Sequence, residues 1–593
     1  MLSRKNLFQY FAASAYALAL VYALAGGILS LGEGQEYPYL RSGIFLALLL
    51  LGWLALNGGS GLIARLDPGR RLREGAWLRG AEVGFALTVL LAAAALRVWM
   101  VRSMPMRPES DYRTYFEVAD LIARGTLRTE GPGYCDYIAL FPHVYGYPFA
   151  LSLIFRIFGT SVAAAQYLNV ALSVLTAFIA WRTARLAGGR LCGAVALVLA
   201  AFWPSQILYI NMVASEYLFS CMLMFAMYLF IKSVKEYDGE AKHPAAGVAL
   251  HAFLGAWLAL TAAVRPMALL LVIAIVICIA FKRLRLPVRR TEDQPVSLVF
   301  LSRGWMRCLL IIAVYAAVGA LISAGITNAV DRDLASGTAS FGYNLLVGLN
   351  AESEGGWNQV DADYLYAALD ATGSASEAHL ACRDLAIKRL GDAKGMINLF
   401  LHKFQVLWMN DDYGTTWNLL FMDQQGTLTA AREHFLYAAR GVGNMFYLLA
   451  VAFAAIEGIF LWRRGCGLAY PFVLMYLGTV AMHLLVENQN RYHFHALYML
   501  AMLAALGVRD ICEASRARVQ RRLEERRAID RQEREDAARA QTLRREEEHL
   551  TELRREAMQS RFDLRDALEK GYVTVRVSEA YVDENDGRQD SAH

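Results

Sequence analysis

One polar stretch between two apolar runs holds the residue types that acid–base chemistry needs. It extends from Arg102 to Phe149 and reads RSMPMRPESDYRTYFEVADLIARGTLRTEGPGYCDYIALFPHVYGYPF. A carboxylate at Asp111, about ten residues past the first apolar run, could act as a general base on a hydroxyl group. Ser110 or Asp111 could instead cap a helix that continues to about Arg124. From the spacing alone, both interpretations of Asp111 remain open.

Other charged or polar side chains could take part in binding a substrate or a phosphate. Arg113 could hold a phosphate or pair with Glu117 one helical turn later. His143 is an interfacial residue or a contact for a phosphate or metal ion. Glu216 begins an apolar segment, which is costly unless it faces a wet cavity or adds a favourable N-terminal charge. Arg265 and Arg491 border apolar segments, and Lys403 lies in a candidate amphipathic helix of a long loop. For each of these cations, snorkelling is the alternative to a functional role.

The composition predicts that a membrane holds these residues in place. The chain is 56% hydrophobic and 19% charged, whereas soluble domains are about 45–50% apolar and about 25% charged. The apolar residues are concentrated in runs of roughly 20, the length that spans a bilayer as a helix. The eight cysteines show no CxxC spacing, so no zinc or redox motif is visible. We therefore predict an all-α polytopic membrane protein.

Twelve apolar segments are candidate spans. They are 8–30, 40–63, 79–101, 162–181, 191–209, 214–231, 247–264, 266–281, 307–327, 442–462, 468–486 and 493–509. The connections after the even-numbered segments are basic, and the odd connections are neutral or acidic. Because cytoplasmic loops carry the excess of Lys and Arg, both termini are predicted to be cytoplasmic. The stretches 102–161 and 328–441 then lie on the outer side of a cell membrane.

This pattern predicts the following parts: two extra N-terminal helices (1–78), a catalytic membrane core (79–327), an outer subdomain (328–441), C-terminal membrane helices (442–509), a charged cytoplasmic helix (510–568) and a disordered tail (569–593). Within the outer subdomain, GTASFGYNLLVGLNAESEGGWNQVD is predicted to be irregular. The segment 374–408 predicts one or two amphipathic helices, with Ser374 or Ser376 as the N-cap. Many i,i+4 opposite charges favour a solvated single helix in the tail over a coiled coil. Cys135 and Cys382 are either disulfide-bonded or free.

Under this topology the candidate residues converge on one side of the membrane. Carboxylates and cations at the outer face of an apolar bundle suit a lipid-linked phosphate, whose tail lies in the bilayer. The predicted catalytic residue is Asp111. The predicted substrate- or phosphate-binding residues are Arg113, His143, Glu216, Arg265, Lys403 and Arg491.

Several short motifs carry a resemblance to a known superfamily. Asp111, Tyr115 and Ala119 follow the form D-x-x-x-Y-x-x-A, and FPHVYGYPF, VASEYL, the Arg-Pro of AAVRPMALL and NQNRY follow later. Over about 80–510 the chain resembles the GT-C membrane glycosyltransferases, which include protein O-mannosyltransferases and lipid A aminoarabinose transferases. The resemblance implies a GT-C-like helix bundle, a polyprenyl-phosphate sugar donor at the outer face and Asp111 as base in an inverting displacement. Protein mannosyltransferases have Asp-Glu where this chain has Asp111-Tyr112, which places a protein acceptor in doubt.

The resemblance also implies the partners and the cofactors. A monophosphate donor requires no metal in principle because Arg and Lys can supply the charge, although a divalent ion bridging Asp111 and the phosphate stays open. The acceptor is a glycan, a lipid or a protein, the other partners are membrane lipids, and no nucleic acid is expected. Three other functions remain: a polymerase or ligase for polyprenyl-diphosphate glycans, a transporter of lipid-linked glycans, and a scaffold that acts through the charged helix. Few charges lie within the spans, which disfavours the transporter.

Overall fold

The structure is a computed structural model that describes residues 7–31, 38–66, 76–237, 244–280, 304–335, 341–465 and 467–572. Throughout these residues the regular secondary structure is helical, as predicted. By length and composition, ten of the described helices could cross a membrane. The chain is thus a multi-pass membrane protein, and a long charged C-terminal helix is present as predicted.

The first half of the chain forms thirteen described α-helices. They are α1 (Leu7–Ser30), α2 (Pro38–Leu66), α3 (Ala76–Ser103), α4 (Ser110–Arg124), α5 (Leu127–Glu130), α6 (Pro132–Leu140), α7 (Gly146–Phe158), α8 (Val162–Ala201), α9 (Pro204–Leu208), α10 (Ser215–Tyr237), α11 (Pro244–Val264), α12 (Ala268–Ala280) and α13 (Gly304–Val330). Short 3₁₀ turns cover Pro142–Val144 and Tyr209–Asn211.

The second half forms eight more in the described residues. They are α14 (Gly342–Gly348), α15 (Gln359–Thr372), α16 (Ala375–Arg389), α17 (Ala393–Trp408), α18 (Tyr413–Gln424), α19 (Ala430–Arg464), α20 (Tyr470–Leu485) and α21 (Phe494–Glu569). A 3₁₀ turn, Asn490–His493, leads into α21. The described residues up to Arg516 form one compact unit, and those from Ala517 form a second. The finer domain boundaries proposed from the sequence stay predictions.

Two of the predicted spans fall largely in one long helix. The segments 162–181 and 191–209 both overlap α8, which is interrupted at Gly189, where φ is 85° and ψ is −171°. The second segment ends earlier than predicted, at Ala201, because Trp203-Pro204 follows and a proline restricts the residue before it. Around Arg265-Pro266 the predicted break is confirmed, since α11 ends at Val264 and α12 begins at Ala268. The total of twelve spans, both cytoplasmic termini and the outer-face site stay predictions.

One hydrophobic core joins the long helices of the first unit. Among these long helices, extensive pairings join α1 with α19, α3 with α8, α8 with α10, and α11 with α13. Arg97 lies fully buried on α3. Its Nε donates to Ser173 Oγ at 2.8 Å and its Nη1 to the Ala201 carbonyl at 2.7 Å. These bonds hold α3 against the middle of the first part of α8 and against its last residue.

The stretch predicted to be irregular contains a helix. Gly342 is the first residue of α14 and packs directly against α16. A Cβ at this position would lie 1.7 Å from the His379 carbonyl oxygen on α16. Glycine thus serves close packing here, and its abundance wrongly suggested a loop. The predicted amphipathic helices are confirmed as two, α16 and α17, and the Ser374 side chain accepts from the Glu377 N–H at 3.4 Å.

The structure also bears on the predictions about the cysteines and the tail. Cys135 and Cys382 are free, buried thiols in separate apolar clusters. The last predicted span and the charged segment form one continuous helix, α21. Most of the predicted disordered tail, from residue 573, lies outside the described residues, as do the basic connections at 67–75 and 281–303.

We expect Gly146→Ala to destabilise the protein by displacing the turn before α7. A Cβ at this position would lie 2.2 Å from the Ala263 carbonyl oxygen, and such overpacking costs about 1–3 kcal/mol. The measurement is the temperature at which half of the detergent-solubilised protein is lost from the monodisperse peak. Gly133→Ala is the control because a Cβ there meets no atom within 4 Å. Equal midpoints for the two variants would contradict the proposed contact.

Candidate active site

Asp111 lies in the first turn of α4, but it does not cap the helix. Glu109 occupies the N-cap position, and no side chain accepts a capping hydrogen bond there. The Asp111 side chain is 45% exposed, and its Oδ2 accepts from Arg491 Nη2 at 2.6 Å. At the other end α4 stops at Gly125, whose φ of 75° favours glycine. The carboxylate is therefore free of a capping role and is held by a cation almost 400 positions away in the sequence.

Arg491 is fixed on all sides of its guanidinium. Besides its bond to Asp111, Nη1 donates to the Tyr112 hydroxyl at 2.6 Å and Nε donates to Gln489 Oε1 at 2.7 Å. The side chain is only 5% exposed. The guanidinium carbon lies 5.2 Å from the Tyr112 ring centroid and 5.1 Å from that of Trp417. Rings at these distances stabilise a cation electrostatically, so Arg491 is a buried, rigid positive charge beside a half-exposed carboxylate.

A chain of hydrogen bonds links this pair to a second ion pair. The hydroxyls of Tyr112 and Tyr209 lie 2.5 Å apart, and Tyr209 donates to Glu216 Oε1 at 3.3 Å. Because a tyrosine has one proton to donate, Tyr112 must then be the donor to Tyr209. Glu216 also accepts from Arg265 Nη2 at 2.8 Å. Glu216 thus pairs with Arg265, and its predicted substrate- or phosphate-binding role stays a prediction.

His143 lies beside the second ion pair as a neutral side chain. It belongs to the turn Pro142–Val144, and the backbone of Gly146 touches that of Ala263, two residues before Arg265. Removal from water, and then the charge of Arg265, lowers the pKa of His143 to about 4. His143 can therefore offer a hydrogen bond at neutral pH, but no positive charge.

Two predicted residues do not join this cluster. Arg113 is 64% exposed and pairs with Glu117 at 2.6 Å, the alternative considered from the sequence. Lys403 is fully buried on α17, and its Nζ donates to the carbonyls of Gly348, Leu484 and Val486 at 2.7, 2.9 and 2.7 Å. Burial lowers the pKa of Lys403 to about 7, yet three acceptors favour the ammonium, the form with three N–H donors. Lys403 ties the end of α14 to the end of α20, and we expect it to position the segment before Arg491.

Beneath Arg491 a buried polar cluster fixes the turn that carries it. Asp411 accepts from Trp203 Nε1 and Ser205 Oγ, both at 2.6 Å, and lies 3.0 Å from His493 Nε2. The other ring nitrogen, Nδ1, faces the Leu407 carbonyl. The ring of His493 thus bridges the Asp411 carboxylate and the Leu407 carbonyl. This cluster locks the 3₁₀ turn against α9 and α17.

Several residues of the site were not singled out from the sequence. They are Tyr112, Tyr209, Asp411, Trp417, Gln489 and His493. Glu487 lies close by, and burial raises the pKa of its carboxyl group. Among the residues that the structure describes, no three His, Cys, Asp or Glu side chains gather as a metal-binding group. Asp111 has Arg491 as its partner, so the proposed divalent ion would have to compete with that guanidinium.

We expect Lys403→Met to destabilise the protein strongly because three buried carbonyls lose their donor. A buried polar group without a partner costs about 1–3 kcal/mol, so the thermal midpoint in detergent should fall by several degrees. Lys394→Met is the matched control, since Lys394 is exposed on the same helix. A midpoint for Lys403→Met equal to that of the control would show that the three bonds do not stabilise the fold.

Comparison with known proteins gives structural matches only. No family model and no curated protein sequence matches the chain. The fold is similar to archaeal oligosaccharyltransferase AglB from Archaeoglobus fulgidus with an inhibitory peptide and a dolichol-phosphate, at 13% identity, TM-score 0.39, and coverage of 71% of this chain and 50% of that one. It is also similar to ArnT from Cupriavidus metallidurans bound to undecaprenyl phosphate, at 14% identity, TM-score 0.27, and coverage of 72% and 78%.

These matches are GT-C superfamily membrane glycosyltransferases, the group that the sequence resembles. The chain spans about half the length of the oligosaccharyltransferase structures that it matches. At these TM-scores the likeness carries no argument about substrate or mechanism. The function is therefore inferred from the residues of this chain alone.

Proposed function

We propose that the protein is an inverting membrane glycosyltransferase that moves a sugar from a polyprenyl-phosphate donor to an acceptor hydroxyl at the outer face of the membrane. One observation carries this proposal: the half-exposed carboxylate of Asp111 is bonded to the buried guanidinium of Arg491. A base and an anion-binding cation thus lie within one hydrogen bond of each other. Around them is a bundle of apolar helices, which suits a donor with a lipid tail.

Asp111 would act as the general base. The acceptor hydroxyl transfers its proton to the Asp111 carboxylate while its oxygen forms a bond to the anomeric carbon of the sugar. On the opposite face, the bond between that carbon and the phosphate oxygen breaks, and the phosphate leaves with the electron pair. Attack and departure on opposite faces invert the configuration at the anomeric carbon. Asp111 then carries the proton, which passes to solvent because the side chain is 45% exposed.

Arg491 and Arg265 would stabilise the leaving phosphate. Both are held by acceptors in the structure, Asp111 for the first and Glu216 for the second. An arriving phosphate competes with Asp111 for the N–H groups of Arg491, because guanidinium binds phosphate and carboxylate alike. Donor binding would thereby loosen Asp111 and leave it free to accept a proton. The base would then be fully available only when the donor is bound.

The donor, the acceptor and the metal dependence follow from the same chemistry. A monophosphate carries little enough charge for two arginines to neutralise, so the reaction needs no metal in this scheme, and a bridging divalent ion is the alternative. The acceptor is a hydroxyl on a glycan, a lipid or a protein. His143, being neutral, would donate a hydrogen bond to the sugar or the phosphate.

We expect Asp111→Asn to lower the rate of sugar transfer by about 100-fold or more, the usual contribution of a positioned base. The measurement is transfer from synthetic polyprenyl-phosphate sugars by the purified protein. Asp120→Asn is the matched control: Asp120 lies on the same helix, but it binds Arg124 and Thr160 away from the site.

Three outcomes bear on this prediction. Equal losses in the two variants would assign the effect to α4 as a whole and contradict the base. Full activity of Asp111→Asn would keep a transferase but remove Asp111 from its centre. Turnover of diphosphate-linked glycans alone would favour the polymerase or ligase.

We expect His143→Gln to leave the acidic limb of the pH–rate profile between pH 5 and pH 8 unchanged. The pKa of His143 lies near 4, so its imidazole is neutral over this range and its protonation does not vary. The rate itself should fall only modestly, since glutamine can still donate a hydrogen bond. Loss of a limb near pH 6 in the variant would show that His143 acts as a cation.

A further inference from the structure

We propose that a cavity separate from the Asp111–Arg491 pair binds the phosphate group of an anionic ligand. The cavity has a volume of about 600 Å³ and lies between the end of α1, the start of α2 and one face of α19. We call it the α19 cavity. Ten residues line it: Ser30, Leu31, Arg41, Asn410, His434, Tyr437, Ala438, Arg440, Gly441 and Asn444. This proposal concerns binding and does not rest on the transferase function.

The charge of the lining points to an anion. Arg41, His434 and Arg440 can all be cationic, and none of the ten lining residues is acidic. Arg440 has one acidic partner, Asp412, at 2.7 Å. Within the described residues, Arg41 makes no ion pair, so the cavity carries a surplus of positive charge. A phosphate group matches this set, because guanidinium and imidazole donors bind its oxygens with charge-assisted hydrogen bonds.

The geometry of α19 presents these groups to one space. His434, Tyr437, Gly441 and Asn444 recur at the helical period and share one face. Arg41 faces Gly441 on this stripe, since its Nη1 would lie 3.7 Å from a Cβ there, an ordinary contact distance. The cavity is therefore framed by an arginine of the N-terminal helix pair on one side and a polar stripe of α19 on the other.

The α19 cavity is also connected to the proposed active site. Its lining residue Asn410 accepts from Asn490 Nδ2 at 2.5 Å, and Asn490 directly precedes Arg491. Its lining residue Asn444 accepts from the Asp411 N–H at 2.9 Å, and Asp411 binds His493. A ligand in the cavity would thus contact Asn410 and Asn444, which are hydrogen-bonded to Asn490 and to Asp411. The two N-terminal helices would thereby take part in ligand binding, because α2 supplies Arg41.

The phosphate could belong to a membrane phospholipid or to a soluble phosphate ester. The test uses the purified full-length chain and two probes: phosphatidylglycerol in phosphatidylcholine nanodiscs, and glycerol 3-phosphate in detergent. Native mass spectrometry measures how much of each probe the protein retains. We expect retention of phosphatidylglycerol over phosphatidylcholine, and an affinity about tenfold weaker in Arg41→Gln, as for one lost charged contact.

Two further variants make the test specific. Arg102→Gln is the matched control, because Arg102 is an exposed arginine at the end of α3 outside the cavity. Ala438→Trp fills the cavity without removing a charge, and it should weaken binding as Arg41→Gln does. This variant also serves if Arg41→Gln does not fold.

The outcomes separate the sources and can overturn the proposal. Binding of glycerol 3-phosphate alone, with the same sensitivity to Arg41→Gln and Ala438→Trp, would keep the site and make its ligand soluble. Equal effects of Arg41→Gln and Arg102→Gln would show only a diffuse attraction to surface charge and would overturn the site. Wild-type binding in both cavity variants would also overturn it.

Discussion

The buried guanidinium of Arg491 is the constraint on which the rest of the site depends. A charge that is 5% exposed is stable only if every face of it is compensated. Asp111, Tyr112 and Gln489 supply the acceptors, and aromatic rings supply the remaining faces. Because these partners come from α4, from α18 and from the turn before α21, the cation holds together segments that are far apart in sequence.

This arrangement explains why so many polar residues lie behind the site. Lys403 anchors the chain before the turn by three carbonyl bonds, and Asp411 anchors the turn itself through His493. Neither side chain needs to touch a substrate to matter. Each fixes the backbone from which Arg491 extends, and a displacement of about 1 Å at such a point can cost about 100-fold in rate. A site for repeated proton transfer requires a rigidly supported backbone and a base that solvent can reach, and the half-exposed Asp111 is such a base.

The sequence predicted much of this architecture and less of the site. Apolar runs of span length gave the long helices, and Arg265-Pro266 marked a real break, because hydrophobic length and proline act locally. The glycine at position 342 wrongly suggested a loop, because it serves close packing against His379, which is distant in the sequence. Asp111 and Arg491 were recognisable as charges at the ends of apolar segments. Their direct bond was not, because nothing local encodes a contact across 380 positions. Tyr112 and Tyr209 carry no local signal of a role in the site, and only the structure shows them linking two ion pairs.

The central claim is that Asp111 and Arg491 act as one unit in catalysis. A double-mutant cycle tests it most directly, with sugar transfer measured for wild type, Asp111→Asn, Arg491→Gln and the double variant. Residues that act together show losses that do not add. Because the two side chains also hold each other in place, the account predicts that the double variant loses less than the product of the two single losses. Losses that multiply in the double variant, with all four proteins folded, would show that the carboxylate and the guanidinium act independently and would contradict it.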